Sequence, residues 1–263
     1  MLTLVFLGEI LHEAGLRGIV KILQDGERKL SAEVIVVNGN GISAGEGISL
    51  PDAKELFENG IDIIILGDKA LSKPSSRRAL QAGFPLLRPI NFPANAPGQS
   101  AYKLKCSHGE LWFLSVCIGS EKFPLGDPAN AFDSWMEQET PECPVVLNVH
   151  GTDLPLKEAL MLRYSDYKVP VHVLGTGIRV PTDDLRLLGG NVFVSDIGSV
   201  VAEGTIQGLA PQAWWKRYIE RLSVVQVSAI SRVKADGIKI VFDDTLRVVS
   251  ADRLKIFSDV IGA

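Results

Sequence analysis

Six polar residues stand just after short apolar runs. Glu9 follows Leu4–Leu7, Asn40 follows Val34–Val37, Asp68 and Lys69 follow Ile63–Leu66, His150 follows Val145–Leu147, and Arg179 follows Val171–Leu174. Carboxylates, carboxamides and imidazoles are the donors that hold a divalent ion, so Glu9, Asn40, Asp68 and His150 are candidate ligands for at most one ion of the Mn, Mg or Fe kind. His150 and Lys69 are the candidates for moving a proton. Lys69 and Arg179 have a second use, because an arginine forks onto a phosphate or carboxylate while a lysine acts as a point charge. The charges of Glu9, Asp68, Lys69 and Arg179 cancel, so such a rim balances itself without metal. Either the two cations pair with the two carboxylates as salt bridges, or they receive an anion with His150 as donor or general acid. Nothing nearby is an obvious nucleophile.

These residues converge only if the apolar runs are neighbouring strands. The runs are too short for helices and are bounded by Gly or Asn, the pattern of strands buried on both faces. Between the first three, Leu16, Ile19, Val20 and Leu23 recur at helical spacing, and Ser49 with Asp52 marks a second helix start before Gly60. Strand and helix therefore alternate as in a parallel βαβαβ unit, whose ligand crevice lies beyond the carboxyl ends of the strands. Ser107-His108-Gly109-Glu110 reads as a hairpin, and Asp127-Pro128 opens a helix bearing Phe132, Trp135 and Met136. After Gly198 a helix carries Trp215, Ile219 and Leu222, and an Asp236-Gly237 turn precedes the alternating Ile238, Ile240 and Phe242. Gly39-Asn40-Gly41-Ile42-Ser43-Ala44 has dinucleotide-loop spacing, but its helix starts only at Ser49, which argues against nucleotide-cofactor binding. With no repeat or linker, residues 1–263 read as a single α/β domain.

Of 263 residues, 27 are basic and 31 acidic, for a net charge of −4, and 46% are apolar, an ordinary globular balance. The mild acidity and the lack of a basic run argue against a nucleic-acid duplex as partner. Cys106, Cys117 and Cys143 match no zinc or CxxC spacing and read as buried free thiols of a reducing, cytoplasmic protein. The apolar N-terminus lacks the basic start of a signal peptide, and no run is long enough for a membrane span.

Taken with Leu87-Arg88-Pro89-Ile90-Asn91-Phe92-Pro93, Pro97-Gly98 and Ser195-Asp196-Ile197-Gly198, the chain resembles, nearly end to end, the bacterial YmdB-type branch of the calcineurin-like metallophosphoesterases. The resemblance implies a four-layer αββα sandwich with mixed sheets, two metal ions at the strand ends, and hydrolysis of cyclic nucleotides or other phosphodiesters. The departures fall on the ligands. Glu9 replaces an Asp, Asn40-Gly41 replaces Glu-Asn, Gly67-Asp68-Lys69 replaces Gly-Asn-His, and Gly177-Ile178-Arg179 replaces His-Thr-His, so that His150 alone remains of the family's histidines. The leading expectation is a catalytically inactive relative with a structural, regulatory or anion-sensing role. It would have no resident cofactor, a phosphate-containing small molecule as ligand, homo-oligomeric assembly and a protein partner. The alternative is an active, remodelled phosphodiesterase with one ion on Glu9, Asp68 and His150 and with Lys69 in place of the family's acid histidine.

Overall fold

The computed structural model describes residues 1–25, 30–119, 124–222 and 232–259. The chain begins with β1 (Leu2–Leu11), α1 (His12–Gln24), β2 (Val34–Gly41), α2 (Leu50–Glu58), β3 (Ile63–Ile65), α3 (Pro74–Leu80) and β4 (Leu86–Leu87). It crosses into β5 (Ala101–Cys106), β6 (Gly109–Cys117), α4 (Pro128–Glu139), β7 (Val145–His150), α5 (Leu154–Tyr164), β8 (Val171–Thr176), β9 (Arg186–Leu188) and β10 (Asn191–Val194). It returns through β11 (Ser199–Ala202), α6 (Pro211–Ile219), β12 (Arg232–Phe242) and β13 (Val248–Asp259).

Two mixed sheets result, one ordered β13-β12-β11-β1-β2-β3-β4 and the other β5-β6-β7-β8-β10-β9. Alternation along each strand decides what faces what. In β1, Val5 and Leu7 point to α1 and α2, while Leu4 and Phe6 join Phe113, Val146 and Leu174 between the sheets. On the far face of the second sheet, Leu147 and Val149 pack with Phe132, Leu160 and Tyr164 of α4 and α5. The layers run helix, sheet, sheet, helix, as the four-layer expectation requires. Among the described residues no helix is long and apolar enough to cross a membrane.

Ser49 closes a capping box with Asp52 at the start of α2, and Asp127 caps α4. The Phe132, Trp135 and Met136 stripe packs into the core. Three expectations need correction. Asp236-Gly237 is not a turn but the interior of β12, where Gly237 pairs with Leu7 of β1 and an added Cβ would stand 2.8 Å from Leu7 Cδ2 and 3.1 Å from the Phe6 carbonyl. The helix after Gly198 begins only at Pro211, because β11 intervenes, and Leu222 lies past its end with Trp215 and Ile219 exposed. All three cysteines are free, but only Cys117 is fully buried.

Candidate functional site

The first three parallel strands deliver their carboxyl ends to one rim. β1 carries Glu9 at a break in its pairing with β2, and such bulges re-aim a side chain. Gly8 permits this, since a Cβ there would collide with the Gly198 carbonyl at 2.2 Å, and the Glu9 N–H then bonds that carbonyl at 3.1 Å. The Glu9 carboxylate is wholly buried, and Arg179 from the loop after β8 forks onto it, Nε to Oε2 at 3.1 Å and Nη2 to Oε1 at 3.0 Å. Arg179 Nη1 goes to Gln207 Oε1 at 3.0 Å. Burial opposes the guanidinium charge, but Glu9 more than offsets this and raises the Arg179 pKa.

Asn40 is oriented by the turn after β3. Its Oδ1 accepts from the backbone N–H groups of Gly67 at 2.9 Å and Lys69 at 3.0 Å, so its amino group faces the site. That group donates to Asp68 Oδ1 at 2.9 Å and lies 3.3 Å from His150 Nε2. His150 Nε2 in turn meets Asp68 Oδ1 at 3.0 Å. Behind the ring, the Thr176 hydroxyl gives its proton to Asn148 Oδ1 and accepts from Asn38 Nδ2, which leaves His150 Nδ1, at 3.1 Å, as a second donor to it. Burial works against charge on Asp68, yet His150, Asn40 and the nearby Lys69 ammonium together hold its carboxyl far below the usual range.

Lys69 does not pair with Asp68. Its Nζ donates to the Gly45 carbonyl at 2.7 Å, and burial together with the Arg179 charge lowers its pKa. Of the two ion pairs that a self-balancing rim requires, Arg179–Glu9 forms, while Asp68 is hydrogen-bonded to Asn40 and His150 instead of paired with Lys69. A cleft of about 520 Å³ opens over this rim, lined by Asp68, Lys69, His150, Thr152, Gly177 and Arg179.

The residues present do not suit the divalent ions that the resemblance implies. Both oxygens of Glu9 are engaged by a guanidinium, Asn40 turns donors rather than its oxygen to the site, and Lys69 and Arg179 line the same cleft, where their charge repels a cation. Glu9, Asn40, Asp68 and His150 do come to one rim. Among the described residues, however, no three His, Cys, Asp or Glu side chains form a group able to hold a metal ion.

Sequence reading did not assign roles to Thr176, Asn148, Asn38, Gln207 or His12. The signal for some of them is strand alternation: Asn38 with Asn40, and Asn148 with His150, are paired polar residues on one face of otherwise apolar strands. Gln207 and His12 carry no such mark.

Residues 5–254 match the YmdB-like protein family. A 2′,3′-cyclic-nucleotide 2′-phosphodiesterase of Bacillus subtilis (strain 168) is 23% identical over 260 residues, 98% of each chain. A crystal structure of a hypothetical protein from Thermus thermophilus superposes with a TM-score of 0.84 at 27% identity, covering 98% of this chain and 99% of that one. The crystal structure of a novel phosphatase from Mycoplasma pneumoniae gives 0.86 at 21% identity over 98% and 94%. The chain belongs to the YmdB-like family of calcineurin-like metallophosphoesterases.

Proposed function

We propose that this chain is a catalytically inactive member of its family, in which an internal ion pair replaces the metal centre and the protein serves a regulatory or anion-sensing role. The observation that carries this reading is the fork of Arg179 on Glu9. A two-metal phosphodiesterase holds two ions about 3.5–4 Å apart and uses them to polarise phosphate and generate hydroxide. Here the most buried carboxylate of the rim is already neutralised by a side chain. His150 and Lys69 remain at the cleft. The reading treats residues 1–263 as one domain in a cytoplasmic homo-oligomer, with Lys69 and Arg179 supplying attraction for a phosphate-containing ligand.

The test is elemental analysis of protein purified without chelator, together with hydrolysis of bis-p-nitrophenyl phosphate and 2′,3′-cyclic nucleotides in added Mn²⁺. Substoichiometric metal and no turnover above the buffer rate are expected. Near-stoichiometric metal with turnover that His150→Ala abolishes overturns the proposal and leaves a remodelled phosphodiesterase.

A further inference from the structure

A second cavity, about 360 Å³, lies on the other side of Lys69, Arg179 and Gln207 from the strand-end cleft, and shares those three residues with it. Its own walls are His12, Glu46, Trp214 and Arg217, with Ala44, Gly45 and Leu209. We propose that this cavity is a metal-free binding site for a small organic phosphate carrying one planar ring. The inference rests on the reading of the rim as metal-free, and names the ligand class and the place where it binds.

Charge selects this cavity over the cleft. Each lining holds one carboxylate, Asp68 in the cleft and Glu46 in the second cavity, but only the second cavity adds Arg217 to Lys69 and Arg179. With Arg179 set against Glu9, the cavity wall carries two cations, Lys69 and Arg217, and one carboxylate, Glu46. Donors are available as well. Lys69 spends one ammonium proton on the Gly45 carbonyl and keeps two. Arg179 spends three of its five N–H groups on Glu9 and Gln207 and keeps two.

His12 is built into the wall. It opens α1 with φ of +58°, a left-handed conformation uncommon outside glycine. Its ring is clamped between Gly45 and Gly208, where added Cβ atoms would stand 3.2 and 2.4 Å from ring carbons. The ring lies beside Arg179, Lys69 and Lys73, and burial together with these charges lowers its pKa. A neutral imidazole surrounded by ammonium and guanidinium groups is a site for a negative group to enter. The Trp214 and Arg217 part of the wall suits a ring, because the Trp214 indole is pinned by its N–H to the Ile206 carbonyl, and Arg217 stands over it at 5.9 Å from the ring centroid. Aromatic faces and guanidinium planes both stack on planar rings.

The experiment is titration of the whole chain in EDTA with phenyl phosphate and with inorganic phosphate, followed by calorimetry and by the Cε1 protons of the histidines, assigned through His12→Gln. Phenyl phosphate is expected to bind about tenfold more tightly than phosphate, the difference being the stacked ring. The His12 resonance moves with saturation while that of His150 does not. Arg217→Gln, at an exposed position, weakens phenyl phosphate about fivefold or more, and Trp214→Leu brings it to the level of inorganic phosphate. The proposal is overturned by the absence of binding at millimolar phenyl phosphate, by movement of His150 in place of His12, or by indifference to Arg217→Gln. None of these outcomes depends on Mn²⁺ or turnover, so a failure of the inactive-enzyme reading registers separately, in the metal and hydrolysis assays.

Discussion

A carboxylate as deeply buried as Glu9 needs a counter-charge, and Arg179 supplies it through two parallel hydrogen bonds. The Arg179 side chain is 18% exposed against 0% for Glu9, so removing the arginine leaves a charge that water cannot reach. Arg179→Ala is expected to lower the unfolding free energy by about 3 kcal/mol in urea melts, the lower end for a broken buried pair because solvent reaches one partner. Glu9→Gln combined with Arg179→Leu recovers about half of that loss or more, since no charge is then stranded. A double variant as unstable as Arg179→Ala would show that shape rather than charge holds the site. The residues of this pair were legible from spacing alone, because each follows an apolar run. The choice of partner was not: Lys69 and Arg179 carry the same charge, and only the Gly45 carbonyl, 24 residues away in sequence, decides that Lys69 turns aside and leaves Asp68 to His150.

At the scale of elements, the site depends on how closely the ends of β3 and β7 approach across the two sheets. A Cβ on Gly67 would lie 2.2 Å from Cδ2 and 2.3 Å from Cγ of His150, so the imidazole rests directly on the β3 turn. Gly67→Ala is expected to cost about 2 kcal/mol and to separate His150 from Asp68, seen as a displaced His150 resonance. His150→Ala in the same chain makes room for the methyl group, so the double variant should be more stable than the sum of the singles by about 1–2 kcal/mol. Strict additivity would mean that the turn moves aside freely. Five strands, the capping box of α2 and the Asp127 cap were readable because each is a local pattern. Asp236-Gly237 was misread because a turn pair and a glycine inside a strand look alike until β1, some 230 residues earlier, is known to pair beside it.

At the scale of the whole molecule, the first sheet joins the two ends of the chain, with β12 pairing β1, and the second sheet closes over it. His172 of β8 is sealed into that inter-sheet layer against Phe242, their ring centroids 5.5 Å apart. Its Nδ1 accepts from the Val192 N–H at 3.1 Å, and its Nε2 has no partner among the described residues. Burial lowers its pKa from 6.5 to about 4. Between these values the unfolded chain takes up a proton that the folded chain refuses, so the contribution of His172 is whole above pH 6.5 and is lost as the pH falls toward 4. At about 1.4 kcal/mol per unit, the loss approaches about 3 kcal/mol. Asp196 acts in the opposite sense over much of the same range. Burial outweighs the nearby Lys157 ammonium and raises its pKa from 3.8 to about 6, so its contribution is whole below pH 3.8 and is lost as the pH rises through 6. The two slopes oppose each other in the native chain, and each is exposed by removing the other. His172→Asn keeps an acceptor for Val192 and should gain stability relative to the native chain by about 3 kcal/mol between pH 7 and pH 4. Asp196→Asn should lose stability relative to the native chain over the same interval. Urea midpoints at half-unit steps of pH measure both differences, and parallel curves for His172→Asn and the native chain would mean that His172 is protonated within the fold.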